Sequence, residues 1–301
     1  MKYNLITILG PTAVGKTCLA AMLANKFDGE IISADSRQVY RGMDIGTGKD
    51  LSDYVVDGKN IPHHLIDVID PAEEFNLFMF QQKFYKSFGD ISQRGKIPFL
   101  VGGTGLYLHS VLKTYNLKAA DFDERRFEQL NKLGDDELKE ILVNLNPNLH
   151  NTTDLLLKER IIRAIMISEI NGAMQPLDRV TINSLTIGVN MERDEVKKRI
   201  TTRLKQRLQS GMIDEVKYLM DSGVTYERLQ LFGLEYKFIS LYLKGELNYN
   251  DMYQKLNSAI HSFAKRQMTW FRKMEKEGVQ INWINGGDYN AAERIMSENY
   301  F

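Results

Sequence analysis

Gly10, Pro11, Thr12, Ala13, Val14, Gly15, Lys16 and Thr17 form the pattern G-x-x-x-x-G-K-[ST], a loop built to hold phosphate. The glycines let backbone N–H groups close around phosphate oxygens, the helix that follows adds positive potential, and Lys16 supplies a point charge. Thr17 would ligate Mg2+. A second candidate group, Asp35, ends the apolar run EIISADS (30–36). A carboxylate there can accept a proton from a nucleophile, hold a metal or cap a helix, and spacing alone does not separate these jobs. Cys18 lies one residue into the predicted helix, where a thiolate would be stabilised, but a small buried hydrophobe is the expected role. His63-His64 lacks the spaced Cys or Asp partners of a zinc site, and a loop role is expected.

These residues need elements to position them. YNLITILG (3–10), EIISADS and IPFLVGG (97–103) are apolar runs stopped by glycine or polar residues, and they predict strands; NSLTIGVN (183–190) and VQINWING (279–286) predict two more. Helical spacing fills the stretches between, at 16–27, 75–94, 104–113 and 193–210, the last with Val196, Ile200, Leu204 and Leu208 on one stripe. Strands alternating with helices imply an α/β fold with a doubly wound, mostly parallel sheet of the P-loop NTPase kind. From Leu117 to Arg179 strand-like runs vanish and charged helical pattern takes over, including DDELKEILVNLNP and a helix from Thr153 or Asp154 to Gly172. The expected organisation is a core at 1–116, a helical insertion at 117–179 and core completion at 180–301.

Composition bounds the rest. Lys+Arg and Asp+Glu are equal at 39 each, which argues against a generic nucleic-acid coat and leaves local basic surfaces open. One cysteine excludes an internal disulfide and suits a reducing cytoplasm. The N-terminal apolar run is short and interrupted by Gly10-Pro11 and Lys16, so it does not read as a signal peptide, and no segment approaches the roughly 18 apolar residues of a membrane span.

GPTAVGKT, ISADSRQVYRGMDIGTGK, PHHLIDVIDP, GKIPFLVGGTGLYL and AKRQMTWFR occur in this order along nearly the whole chain. Together they resemble the tRNA dimethylallyltransferases, also called tRNA isopentenyltransferases. The resemblance implies transfer of a dimethylallyl group from dimethylallyl diphosphate to the exocyclic N6 of an adenine beside the anticodon. The loop would then hold a diphosphate, with ATP or pyrophosphate as weak inhibitors. Asp35 would take the proton of the attacking amine, since a carboxylate accepts the proton of an adenine ammonium readily. The loop amides, Lys16 and Mg2+ on Thr17 would neutralise the leaving group. By the same resemblance Thr104 in GGTG bonds near the scissile oxygen and the reacting nitrogen, and Ser36 and Gln38, with Arg37 in the same segment, help recognise the adenine. That base must leave its stack.

The tRNA anticodon stem-loop would meet basic surfaces. RDEVKKRITTRLKQR holds seven Lys/Arg against two acids, with Arg199, Arg203 and Arg207 four apart. Glu159, Arg160, Ile161, Ile162 and Arg163 match a tRNA-contacting segment of the family, and AKRQMTWFRK adds Lys265, Arg266, Arg272 and Lys273. One departure stands out. Relatives carry Gly-Tyr-Arg or Gly-Tyr-Lys late in the chain, where the basic residue meets the diphosphate; here Leu234-Glu235 separate Gly233 from Tyr236. An ungapped reading places Tyr236-Lys237 on that pair, with charge kept and the bidentate fork of arginine lost. A cytoplasmic monomer is expected. The competing readings are a small-metabolite kinase with Asp35 as base toward a hydroxyl, and a non-catalytic tRNA-binding switch driven by a nucleotide.

Overall fold

The computed structural model describes residues 2–115, 124–145, 158–169 and 180–300. The chain runs through β1 (Leu5–Leu9), α1 (Lys16–Lys26), β2 (Gly29–Ala34), a 3₁₀ turn (Leu51–Tyr54), β3 (Val55–Val56), β4 (Lys59–Asn60) and β5 (His63–His64). There follow α2 (Leu77–Gln93), β6 (Ile97–Gly102), α3 (Gly105–Leu112), α4 (Glu124–Asn131), α5 (Asp135–Leu145) and α6 (Lys158–Glu169). The last part holds β7 (Ser184–Asn190), α7 (Arg193–Gln209), α8 (Met212–Asp221), α9 (Tyr226–Leu231), α10 (Leu234–Leu243), α11 (Tyr249–Lys276), β8 (Ile281–Asn285) and α12 (Tyr289–Asn299).

Six strands pair in the order β5-β2-β6-β1-β7-β8, every pair parallel, while β3 and β4 make a separate antiparallel hairpin. Both sheet faces are covered, which is why the inner strands read as unbroken apolar runs. Ile6, Ile8, Ile31, Phe99 and Val101 face a core shared with α1, α7, α8, α10 and α12. Leu5, Leu9, Ile32 and Leu100 face the opposite core, filled by Phe80, Phe84 and Phe88 of α2 and Tyr107 and Leu108 of α3. The 28-residue α11 serves both: Met252, Leu256 and Ile260 enter the first core, Phe271 and Met274 the second.

Contacts divide the chain into two compact units, Met1–Thr114 with Thr181–Phe301, and Tyr115–Val180. The second unit has its own core of Leu130, Leu138, Leu142, Ile161, Ile162, Ile165 and Met166, from α4, α5 and α6. Ile161 and Ile162, expected in a tRNA-contacting segment, are therefore packed inside it. The apolar stripe of α6 at 161, 162, 165 and 166 has the 3.6-residue period that demands burial. The side chains of Glu159, Arg160 and Arg163 lie outside the described residues.

The His63-His64 pair, expected in a loop, forms the short edge strand β5 beside β2. His63 Nδ1 lies 3.0 Å from Ile61 O and His64 Nε2 lies 2.8 Å from Glu30 Oε2.

Candidate active site at the carboxyl ends of the sheet

The phosphate loop leaves β1 and turns into α1. Ala13 and Gly15 both have positive φ, 68° and 85°, a local winding that aims successive N–H groups at one point. A β-carbon costs about 1 kcal/mol in that region, so Ala13 carries a small strain and glycine at 15 relieves it. No side chain caps α1, and its first-turn N–H groups are left for an anion. Lys16 is half-buried, and its Nζ donates to Pro11 O at 2.6 Å. Burial, then the charge of Arg203, push its pKa down to about 7, against the upward pull of Asp35.

Asp35 follows β2 and Thr104 follows β6. In the sheet β6 lies between the strand bearing Asp35 and the strand that feeds the phosphate loop. Three adjacent strand ends thus present the phosphate loop, Thr104 and Asp35 in a row. With neighbouring strands about 4.8 Å apart, the outer two stand roughly 10 Å from each other. Thr104 follows the strand between them. Thr104 N donates to Ala34 O at 3.2 Å, and Thr104 Oγ1 accepts from Ser36 N at 3.1 Å and lies 3.5 Å from Ser36 Oγ. Asp35 Oδ1 accepts from Arg37 N at 2.9 Å, an Asx turn that fixes the carboxylate. Its Oδ2 accepts no hydrogen bond from the described residues.

The rest of the Asp35 segment is tied inward. Gln38 takes a hydrogen bond from Ser33 Oγ at 3.2 Å and gives one to Gly48 O at 3.2 Å. Arg37 pairs with Glu235 at 2.7 Å and lies over the Phe263 ring, 5.1 Å from its centroid. Both were expected to read the adenine; in this structure their side chains are held by other groups of the protein. Behind them the DIGTGK segment is clamped twice. Lys49, its ammonium buried, donates to Tyr40 O and Asp44. Glu215 of α8 accepts from the N–H groups of Asp44, Ile45 and Gly46 and from Tyr236 OH.

Helix α7 corrects the reading of its arginines. Arg203, expected on the tRNA backbone, donates through Nη2 to Thr12 Oγ1 in the phosphate loop. Burial and Arg207 lower its pKa to about 10, with Asp50, Glu235 and Asp35 opposing. Arg207 pairs with Asp50 at 3.3 Å. Arg199 is exposed and pairs with Glu195 of its own helix at 2.9 Å. The cause is the apolar stripe: Val196, Ile200 and Leu204 bury one side of α7 and carry the neighbouring Arg203 down to the loop. Lys237, expected at the diphosphate, is exposed on α10, two residues and so about 200° round the helix from the inward-facing Glu235. Cys18 is exposed too, because α1 buries Leu19, Ala20, Leu23 and Ala24 against the core. Partial burial and Asp53 raise its thiol pKa, opposite to an activated thiolate.

Sequence reasoning missed Arg203 as a phosphate-loop group, Glu235 and Glu215 as braces, and Gln267. The last was legible as a polar residue inside AKRQMTWFR, the stretch singled out for its basic residues.

The IPP transferase family model matches residues 38–274, from the end of the Asp35 segment through most of α11. This chain belongs to the IPP transferase family. It is 53% identical over 301 residues to tRNA dimethylallyltransferase 1 of Geotalea uraniireducens, covering 99% of each chain. It is 50% identical to tRNA dimethylallyltransferase 2 of Pelobacter propionicus, covering all of this chain and 96% of that one. Among solved structures, the tRNA isopentenylpyrophosphate transferase of Bacillus halodurans superposes with a TM-score of 0.70 at 36% identity, over 99% and 95% of the two chains. The two alignments cover 99% and all of this chain, so the family assignment extends over the phosphate loop and Asp35, which precede the segment the family model matches.

Proposed function

We propose that this protein transfers a dimethylallyl group from dimethylallyl diphosphate to N6 of the adenosine adjacent to the anticodon in tRNA, releasing diphosphate. The observation that carries the reading is the row of strand ends: phosphate loop, Thr104, then Asp35, whose Oδ2 has no hydrogen-bond donor among the described residues. A kinase needs its catalytic carboxylate at a metal or a hydroxyl beside the terminal phosphate. Here the acid follows a strand one removed from that of the phosphate loop, and ATP turnover separates the two readings.

The loop amides, Lys16 and Arg203 bind the diphosphate and take up the charge that grows on it as the C–O bond breaks. Asp35 Oδ2 accepts a hydrogen bond from the adenine amine, orients its lone pair toward the carbon, and receives the proton once the C–N bond has formed. Thr104, held by Ala34 O and Ser36 N, keeps its hydroxyl at the reacting centre. The half-buried Thr17 hydroxyl makes no hydrogen bond among the described residues and stands in the first turn of α1, so it fits a Mg2+ shared with the diphosphate. That ion would add further neutralisation of the leaving group. The acceptor base enters flipped out of its stack.

No described helix is long and apolar enough to cross a membrane. The reading expects a monomer acting on tRNA in the cytoplasm. The test is nucleoside mass analysis of tRNA incubated with protein, Mg2+ and dimethylallyl diphosphate. Wild type should yield N6-(dimethylallyl)adenosine, and Asp35→Ala should lower the rate by about 10²–10⁴ with tRNA still bound. Near-normal turnover in that variant would remove Asp35 from the mechanism.

A further inference from the structure

Gln267 stands on α11 where the helix passes from one core to the other, and both ends of its buried amide are used. Oε1 accepts from Thr12 N at 2.9 Å, and Nε2 donates to Gly103 O at 2.9 Å. Thr12 belongs to the phosphate loop after β1, and its hydroxyl also receives Arg203. Gly103 precedes Thr104 after β6. One side chain therefore joins the two loops that carry the leaving group and the reacting centre. The fit is close: a β-carbon at residue 103 would stand 2.3 Å from Gln267 Nε2.

We propose that Gln267 is a positioning residue for prenyl transfer, setting the distance between the diphosphate in the phosphate loop and Thr104 at the scissile bond. The inference rests on the function proposed above. The task needs one acceptor and one donor, oppositely directed, at the reach of a two-methylene side chain. Glutamine offers both. Asparagine is a methylene short, and a carboxylate offers acceptors only. Loops that drift by 1 Å cost about 10²-fold in rate, because the reacting atoms no longer meet in line. A purely structural glutamine would affect folding and leave the turnover of folded enzyme alone.

The experiment compares wild type, Gln267→Glu and Gln267→Met, each assayed for prenyl transfer to tRNA between about pH 6 and 9. A protonated carboxyl has the shape and hydrogen-bonding pattern of the amide, whereas the carboxylate repels Gly103 O and the diphosphate. Burial raises the introduced carboxyl's pKa into this range. Expected is a kcat about 10²-fold low in Gln267→Met at every pH. Gln267→Glu should be equally low at high pH and recover, relative to wild type, as pH falls. The KM for tRNA should stay unchanged in both. If Gln267→Met does not fold, the pH profile of Gln267→Glu decides alone. Wild-type kcat in the variants, or a Gln267→Glu deficit that ignores pH, overturns the positioning role. A wild-type sample that transfers no prenyl group overturns the functional reading itself.

Discussion

Lys16 carries the sharpest electrostatic conflict in the site. Its ammonium is half-buried, donates to a single carbonyl and feels Arg203, so its pKa falls to about 7. A bound diphosphate reverses that balance by supplying opposite charge at contact distance. The sign follows. At about pH 8 the free protein holds Lys16 largely neutral and the complex holds it charged, so binding takes up a proton; at about pH 6 Lys16 is charged in both states and contributes no uptake. Calorimetric titration with pyrophosphate in buffers of different ionisation enthalpy should show an uptake at pH 8 that Lys16→Met abolishes. An identical proton balance in the two proteins would mean that Lys16 is already charged in the empty site. Lys16 was readable from the phosphate-loop motif, Asp35 as the end of an apolar run with its job left open, and Thr104 only through the family resemblance. Arg203 was not, since the face of α7 that meets the loop depends on packing between helices far apart in the chain.

At the scale of elements, α7 does two jobs with arginines four residues apart. Arg203 reaches Thr12, while Arg199 stays with Glu195 in solvent. Arg203→Ala should therefore cost about 10²–10³ in kcat, the usual loss for one preorganised donor at developing charge, with tRNA affinity intact. Arg199→Gln should leave kcat alone and lower the slope of log affinity against log salt by about one, as loss of one phosphate contact does. Steady-state kinetics and salt titrations of the two variants check both, and a shared phenotype would contradict the division. The strands themselves were legible as apolar runs bounded by glycine. Their order was not: nothing in the pattern of β1, β2 and β6 says that the third inserts between the first two, yet that insertion sets the span between loop and acid.

On the scale of the whole molecule, the phosphate loop, Thr104 and Asp35 follow three adjacent strands of one parallel sheet. The insertion's helical character was readable from the loss of strand-like runs after Leu117, but the burial of Ile161 and Ile162 needed the three helices assembled. The departure at Leu234-Glu235 likewise made sense only in three dimensions, where Glu235 holds Arg37 and Lys237 points away. A prenyl diphosphate, and not ATP, is the expected productive ligand of the loop at 10–17. The direct measurement is prenyl incorporation into tRNA and ATP turnover on one wild-type sample given both dimethylallyl diphosphate and ATP. One prenyl group should be incorporated per diphosphate released, with ATP unconsumed. Stoichiometric ATP turnover, or tRNA that stays unprenylated, would contradict this expectation.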